Sequence, residues 1–247
     1  KTLKQNMFNT IDYIKSIIEG LTFTQKISNI IPGATETTFE TCKTYWIFPK
    51  SIITISGVDY KVIDFEINES VTIKGVLTGT ETHFTIKAPN FFRGTPMQTS
   101  NALHMIKDWK KKLPMAYLIQ PMNETRSLNP LEKIGITAEG VRILFMLPGK
   151  LAESIDQQYL TAIQPTDNLI FEYEKALMTN PNIGELGNAT KSDRPNYGVW
   201  VSRNSKTKPS NQDNVKKLID EDISGIEYII DIPFKRQICD IDATCKN

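Results

Sequence analysis

The chain has 247 residues, enough to bury a sizeable core. Its 40% hydrophobic and 23% charged residues are ordinary for a globular protein and exclude a wholly disordered chain. Lysine and arginine number 29 against 28 acidic residues, a net charge of +1, which excludes a nucleic-acid coat built on cationic excess. Three cysteines (Cys42, Cys239 and Cys245) are too few and too odd for a disulfide framework and favour a reducing compartment. The opening Lys1 to Asn6 leads into an amphipathic pattern and not a signal-peptide core, and no apolar run approaches the roughly 18 residues that span a bilayer. In that setting the Asn-x-Ser/Thr sequons at Asn68, Asn123 and Asn188 carry no meaning.

Leu3, Met7, Ile11, Ile14, Ile17, Ile18 and Leu21 recur at spacings of three and four, predicting a helix over 3–20. From about 40 to 90 the period changes to two. Tyr45 to Phe48, Ile52 to Ile55, Tyr60 to Ile67, Val71 to Val76 and Phe84 to Ile86 read as short strands, separated by turn signals such as Ser56-Gly57 and Asn68-Glu69-Ser70. Thr99 or Ser100 caps a second helix carrying Leu103, Ile106 and Trp109 to about Lys112, and Pro114 stops it. Met115 to Ile119 is a strand, 122–139 a polar connector, and Val141 to Leu147 a strand apolar on both faces and therefore central. Residues 150–163 look partly helical. Pro165 then starts a helix whose apolar face is Leu169, Ile170, Tyr173, Ala176 and Leu177, and Asn180-Pro181 ends it. A loop over 181–196, a strand over Tyr197 to Arg203, an exposed loop over 204–213, a helical turn over Val215 to Ile219 and a strong strand over Ile226 to Ile232 complete the order. The expected class is α+β: a mainly antiparallel sheet with helices packed on one face, plus an inserted small all-β module. The core domain takes 1–39 and 91–247, and the β-sandwich or barrel-like insert takes 40–90.

Chemistry-bearing patterns are incomplete. His83 sits in the β module, and His104 lies four residues before Asp108, the spacing of a surface helix pair. Cys239 and Cys245 flank Asp240 and Asp242 without Cys-x-x-Cys spacing, a poor zinc signal. Gly149-Lys150 lacks both the earlier glycine and the following Ser/Thr of a phosphate loop. Asp64 and Glu66 share a strand face, as in a metal-dependent nuclease, but Glu66 is followed by Ile67-Asn68 and not by x-Lys. Asp220-Glu221-Asp222 reads as a charged turn, and Lys110-Lys111-Lys112 as a solvated helix end. Tyr45, Trp46, Phe48, Tyr60, Phe65 and Phe84 could stack bases, but Lys43, Lys50, Lys61, Lys74 and Lys87 are balanced by acids, and core packing accounts better for the rings. No catalytic, cofactor-binding or metal residue is assigned, no cofactor is expected, and the chain reads as a non-enzyme.

One stretch carries a resemblance. Phe91-Phe92-Arg93-Gly94-Thr95-Pro96, an amphipathic helix, then Leu113-Pro114-Met115-Ala116-Tyr117-Leu118-Ile119-Gln120-Pro121 resembles a segment of tail-terminator and neck (head–tail joining) proteins of long-tailed phages. The strand Val141 to Leu147, the helix after Ile163-Gln164-Pro165 and the strand Ile226 to Ile232 follow in that class's order. The match covers about 1–35 and 96–235, with 40–90 as an embellishment and 181–214 without a counterpart. The resemblance implies a virion structural protein made in the host cytoplasm. Such a protein forms a homohexameric ring at the head-proximal end of the tail, with the tail tube and neck or connector proteins as partners. It implies neither membrane nor specific nucleic-acid binding. The loops at 122–139 and 181–196 and the segment 204–214 would supply assembly arms. The alternatives are a nucleic-acid-binding module using the β insert, or a metal-dependent nuclease at Asp64 and Glu66.

Overall fold

The structure is a computed structural model that describes residues 9–106, 112–127, 135–149, 154–197, 199–201, 215–217 and 222–235. The chain is α+β with mostly antiparallel sheets, as the sequence predicts. Leu3 and Met7, Asp108 to Lys111, Lys150, residues 204–214, Asp220, Glu221 and the Cys239 to Cys245 tail lie outside the described residues, as does the side chain of His104.

Helix α1 (Thr10–Glu19) starts where Asn9 accepts from the N–H groups of Ile11 and Asp12, and it buries Ile14, Ile17 and Ile18. The chain then enters a seven-stranded sheet made of β1 (Phe23–Lys26), β2 (Ser28–Pro32), β3 (Glu36–Glu40), β4 (Ile52–Ile55), β5 (Val58–Glu66), β6 (Ser70–Lys74) and β7 (His83–Ile86). Their order is β1-β7-β4-β5-β6-β3-β2, and every pairing is antiparallel. The two edge strands, β1 and β2, are separated in sequence only by Ile27, so the sheet curls until its edges meet. Alternation along each strand sends Phe39, Ile53, Ile55, Val62, Val71, Ile73, Phe84 and Ile86 inward. Threonines face out: Thr38 pairs with Thr72 at 2.9 Å and Thr24 with Thr85 at 3.2 Å between hydroxyl oxygens.

The β module therefore starts at Phe23 and not at residue 40, and β1 to β3 belong to it. The short alternating strands 23–40 expose about half their side chains, which weakened the period-two signal. Conversely, Tyr45 to Phe48 is not a strand. Tyr45 turns the backbone at φ 47°, and Trp46, Ile47 and Phe48 plug the curled sheet. Trp46 Nε1 donates to the Lys87 carbonyl at 3.1 Å, while Thr44 and Asn68 exchange side chain–backbone hydrogen bonds at 3.2 and 3.1 Å.

The second sheet runs β12-β15-β11-β9-β8, built from β8 (Asn90–Gly94), β9 (Met115–Ile119), β11 (Gly135–Pro148), β12 (Thr190–Tyr197) and β15 (Ile223–Lys235); β10 (Asn123–Ser127) pairs with the far end of β11. Helix α2 (Pro96–Met105) makes the crossover between parallel β8 and β9. Its cap is Thr95, in a reciprocal capping box with Gln98, rather than Thr99 or Ser100. A small hairpin pairs β13 (Val199–Val201) with β14 (Val215–Lys217), where the sequence suggested a helical turn. Residues 123–127 and 190–196, expected as connectors, are in strands; both are polar because they lie at sheet edges.

Strands β11 and β15 form a ladder from Gly135↔Lys235 to Pro148↔Ile223, broken by one bulge between Ala138 and Val141. Gly225 is obligatory there, because a Cβ would sit 1.9 Å from the Phe145 carbonyl oxygen. On one face Phe145, Tyr228 and Tyr173 pack their rings with centroids 5.5 to 6.4 Å apart. Tyr173 belongs to α4 (Gln164–Thr179), which follows α3 (Ile155–Gln158) and a π-helical turn (Tyr159–Ile163). Helix α1 lies on the same face: Tyr13 packs edge-on to Phe234 at 5.5 Å and donates to Asn180 at 2.8 Å.

Candidate interaction surface

Helix α4 buries Leu169, Ile170, Tyr173 and Leu177 against the sheet, the face the sequence assigned to it. Phe171 and Met178 lie off that face and are 58% and 67% exposed. Being seven residues apart, they share one side of the helix. Ile155, Tyr159 and Leu160 are likewise exposed, Ile155 at 75%. The π turn, closed by the Gln164 N–H on the Tyr159 carbonyl, brings the two sets into line. At about 100° per residue an unbroken α-helix would place Phe171 about 120° round from Tyr159. The one extra residue taken up by the π turn reduces this to about 20°. The result is an apolar stripe from Ile155 to Met178, interrupted by the exposed carboxylate of Asp167.

The stripe has a polar border. Lys191 on β12 reaches Asp167 at 2.9 Å and Glu174 at 3.9 Å, and Lys175 meets Glu172 at 3.7 Å. The sequence held a signal for this surface: large apolar residues at 171 and 178, out of phase with the buried period of α4.

The other face of the sheet carries a charged cluster. Glu227 is 4% exposed, and each of its carboxylate oxygens accepts from one guanidinium: Oε1 from Arg142 and Oε2 from Arg194, the Nε bonds both being 2.8 Å. The arginines stand on β11 and β12, so one carboxylate ties three strands together. Burial, the largest single influence, pushes the Glu227 carboxyl up, but the hydrogen bonds and charges of the two arginines outweigh it and hold it below the usual range. With four N–H groups already on its two oxygens, this carboxylate is a clamp and offers a substrate no free lone pair in the plane. Nearby, burial raises the Tyr197 phenol.

The residues weighed in the sequence are scattered. His83 is exposed beside the Thr82 hydroxyl at 2.9 Å. Asp64 and Glu66 are exposed on β5, and Asp64 accepts from its neighbour's N–H at 2.9 Å. The Gly149 N–H already donates to the Asp222 carbonyl at 2.8 Å, so it is not part of a phosphate cradle. Tyr45, Trp46, Phe48 and Phe84 are buried, and Tyr60 and Phe65 are half-buried, as core packing requires. Among the described residues no three His, Cys, Asp or Glu side chains come close enough to share a metal ion. Clefts of about 480 and 270 Å³ flank Lys87 to Asn90, where Lys87 is committed to Asp59 at 2.7 Å. That lysine and the Thr54 hydroxyl hold the Asp59 carboxyl below its ordinary value. Among the described residues no helix is long and apolar enough to cross a membrane.

The site and fold together describe an α+β chain with a curled all-β module and one apolar stripe on its surface. No family model, curated protein or solved structure matches it.

Proposed function

We propose that the chain is a virion structural protein that joins copies of itself into a ring at the head-proximal end of a phage tail, between tail tube and neck. The order of elements around Gly94 to Pro121 supports the class. The observation that carries assembly is the exposed stripe Ile155, Tyr159, Leu160, Phe171 and Met178. An apolar surface of this kind, bordered by charge, is what one subunit presents to another. A ring contact is heterologous, so it needs two different surfaces on each copy. Exposed Ile31 and Val58 on the curled sheet, and Val76 just after β6, offer apolar side chains for the second.

The test is mass measurement during size exclusion, with and without purified tail-tube protein. Wild type forms a closed oligomer, at the latest when tube protein is present. Phe171→Glu combined with Met178→Glu keeps the fold and forms no closed ring. A wild-type chain that remains monomeric and ignores tail tubes overturns the reading.

A further inference from the structure

The open sheet has strand edges that are not equivalent. Strand β12 carries Pro195, Lys191, Arg194 and a register break between Arg194 and Tyr197, the devices that keep an edge from pairing. Strand β8 has α1 and α2 against it. Strand β10 lacks the proline, the lysine and the register break, and carries one arginine, Arg126. It pairs with β11 in unbroken register from Asn123↔Glu139 to Ser127↔Gly135, and among the described residues it has no partner on its other side. Its sequence, Asn-Glu-Thr-Arg-Ser, contains no proline and no lysine, and residues 123–126 are exposed.

The charges on this edge select an occupant. Glu124 and Arg126 are two apart, so they share a face. Neither forms an ion pair among the described residues. In an antiparallel pair of identical strands related by a two-fold axis through Thr125, Glu124 of each copy stands opposite Arg126 of the other. Asn123 then faces Ser127. All five residues pair, and both charges are matched twice.

We infer that β10 is a self-docking edge, along which a second copy of this chain adds its own β10 antiparallel, centred on Thr125. The two open sheets thereby become one. The contact is isologous and closes at two copies, so it is distinct from a ring contact along the helical stripe. Five paired residues bury less than a standard interface, and the dimer is correspondingly weak and concentration-dependent.

Two experiments test this. In a chain with Cys42, Cys239 and Cys245 changed to serine, Thr125→Cys places a thiol opposite its own copy, where facing Cβ atoms stand about 4.5–5.5 Å apart. Mild oxidation then gives a covalent dimer, faster than Lys61→Cys on the exterior of the curled sheet does. Equal rates at the two positions overturn the proposal. Sedimentation supplies the second measurement. Glu124→Arg or Arg126→Glu alone sets like charges opposite each other twice and weakens the dimer about tenfold. The combined variant Glu124→Arg/Arg126→Glu restores it to within about threefold. Single variants without effect, or a combined variant weaker than either, sink the idea. Phe171→Glu/Met178→Glu leaves this dimer intact, so failure here and failure of the ring reading are distinguishable.

Discussion

The curled sheet of residues 23–86 and the open sheet of residues 90–235 are made of similar strands, yet they treat their edges in opposite ways. In the first, β1 and β2 are one stretch of chain interrupted at Ile27, so the strand that ends the sheet on one side runs directly into the strand that ends it on the other. Its outside is threonine paired with threonine, and its inside is filled from within by the Trp46 plug. The open sheet ends in β12, β8 and β10 and leaves an apolar stripe on the helix that covers it. A closed sheet satisfies itself; an open one leaves backbone and apolar surface for neighbours. The helical stripe and the β10 edge, the two contacts argued most fully above, accordingly both lie on the open half.

The largest expected effects test whether the two halves are separate units. Trp46→Ala removes a buried indole and its hydrogen bond to Lys87 and should cost about 3–5 kcal/mol. Hydrogen exchange should then rise across 23–86 while the β11–β15 ladder keeps its protection; equal loss in both halves would merge them into one cooperative unit. Phe145→Ala, of similar size, should produce the mirror-image pattern. The Glu227 clamp comes next. Glu227→Gln should cost about 2 kcal/mol at neutral pH, less than a fully buried pair because both arginines are half-exposed. The Glu227 carboxyl is depressed in the folded chain, so its stabilisation is complete above the ordinary glutamate value of 4.5 and lost as pH falls through the lower folded value. Urea midpoints should therefore separate wild type from Glu227→Gln at pH 7 and draw together progressively as pH falls below 4.5. A constant gap across that range would assign the effect to packing instead. The smallest effect lies in the closed half. Ser56 and Gly57, at φ 49° and 81°, form the two-residue loop between Ile55 and Val58, and asparagine suits the first position better. Ser56→Asn should add about 0.5 kcal/mol by thermal unfolding without altering assembly.

Much of this fold was legible where burial imposes a period. Residues 52–86 alternate because one face of each strand is enclosed, and Ile143 to Leu147 is apolar throughout because both faces are covered. Tyr45 to Phe48 misleads for a related reason: a plug is buried on every side, so its apolar run imitates a strand. Strands β10 and β12 were hidden because solvent bathes an edge, leaving pairing with β11 and β15 to define them. The stripe at 155–178 was partly visible as Phe171 and Met178 out of phase. Its continuity with Tyr159 depends on a π turn that no local residue preference announces.

Closure through Ile27 also has a kinetic consequence. The curled sheet is complete only when β7 lies against β1, strands about sixty residues apart in sequence, as Phe23↔Ile86 shows. A chain emerging from the ribosome holds β2 to β6 as a ribbon with a bare edge at β4, and β1 unpaired, until β7 arrives. Such a long-range final pairing makes closure slow relative to the local hairpins. That delay marks the interval in which a wrong strand from another copy has its best opportunity to pair.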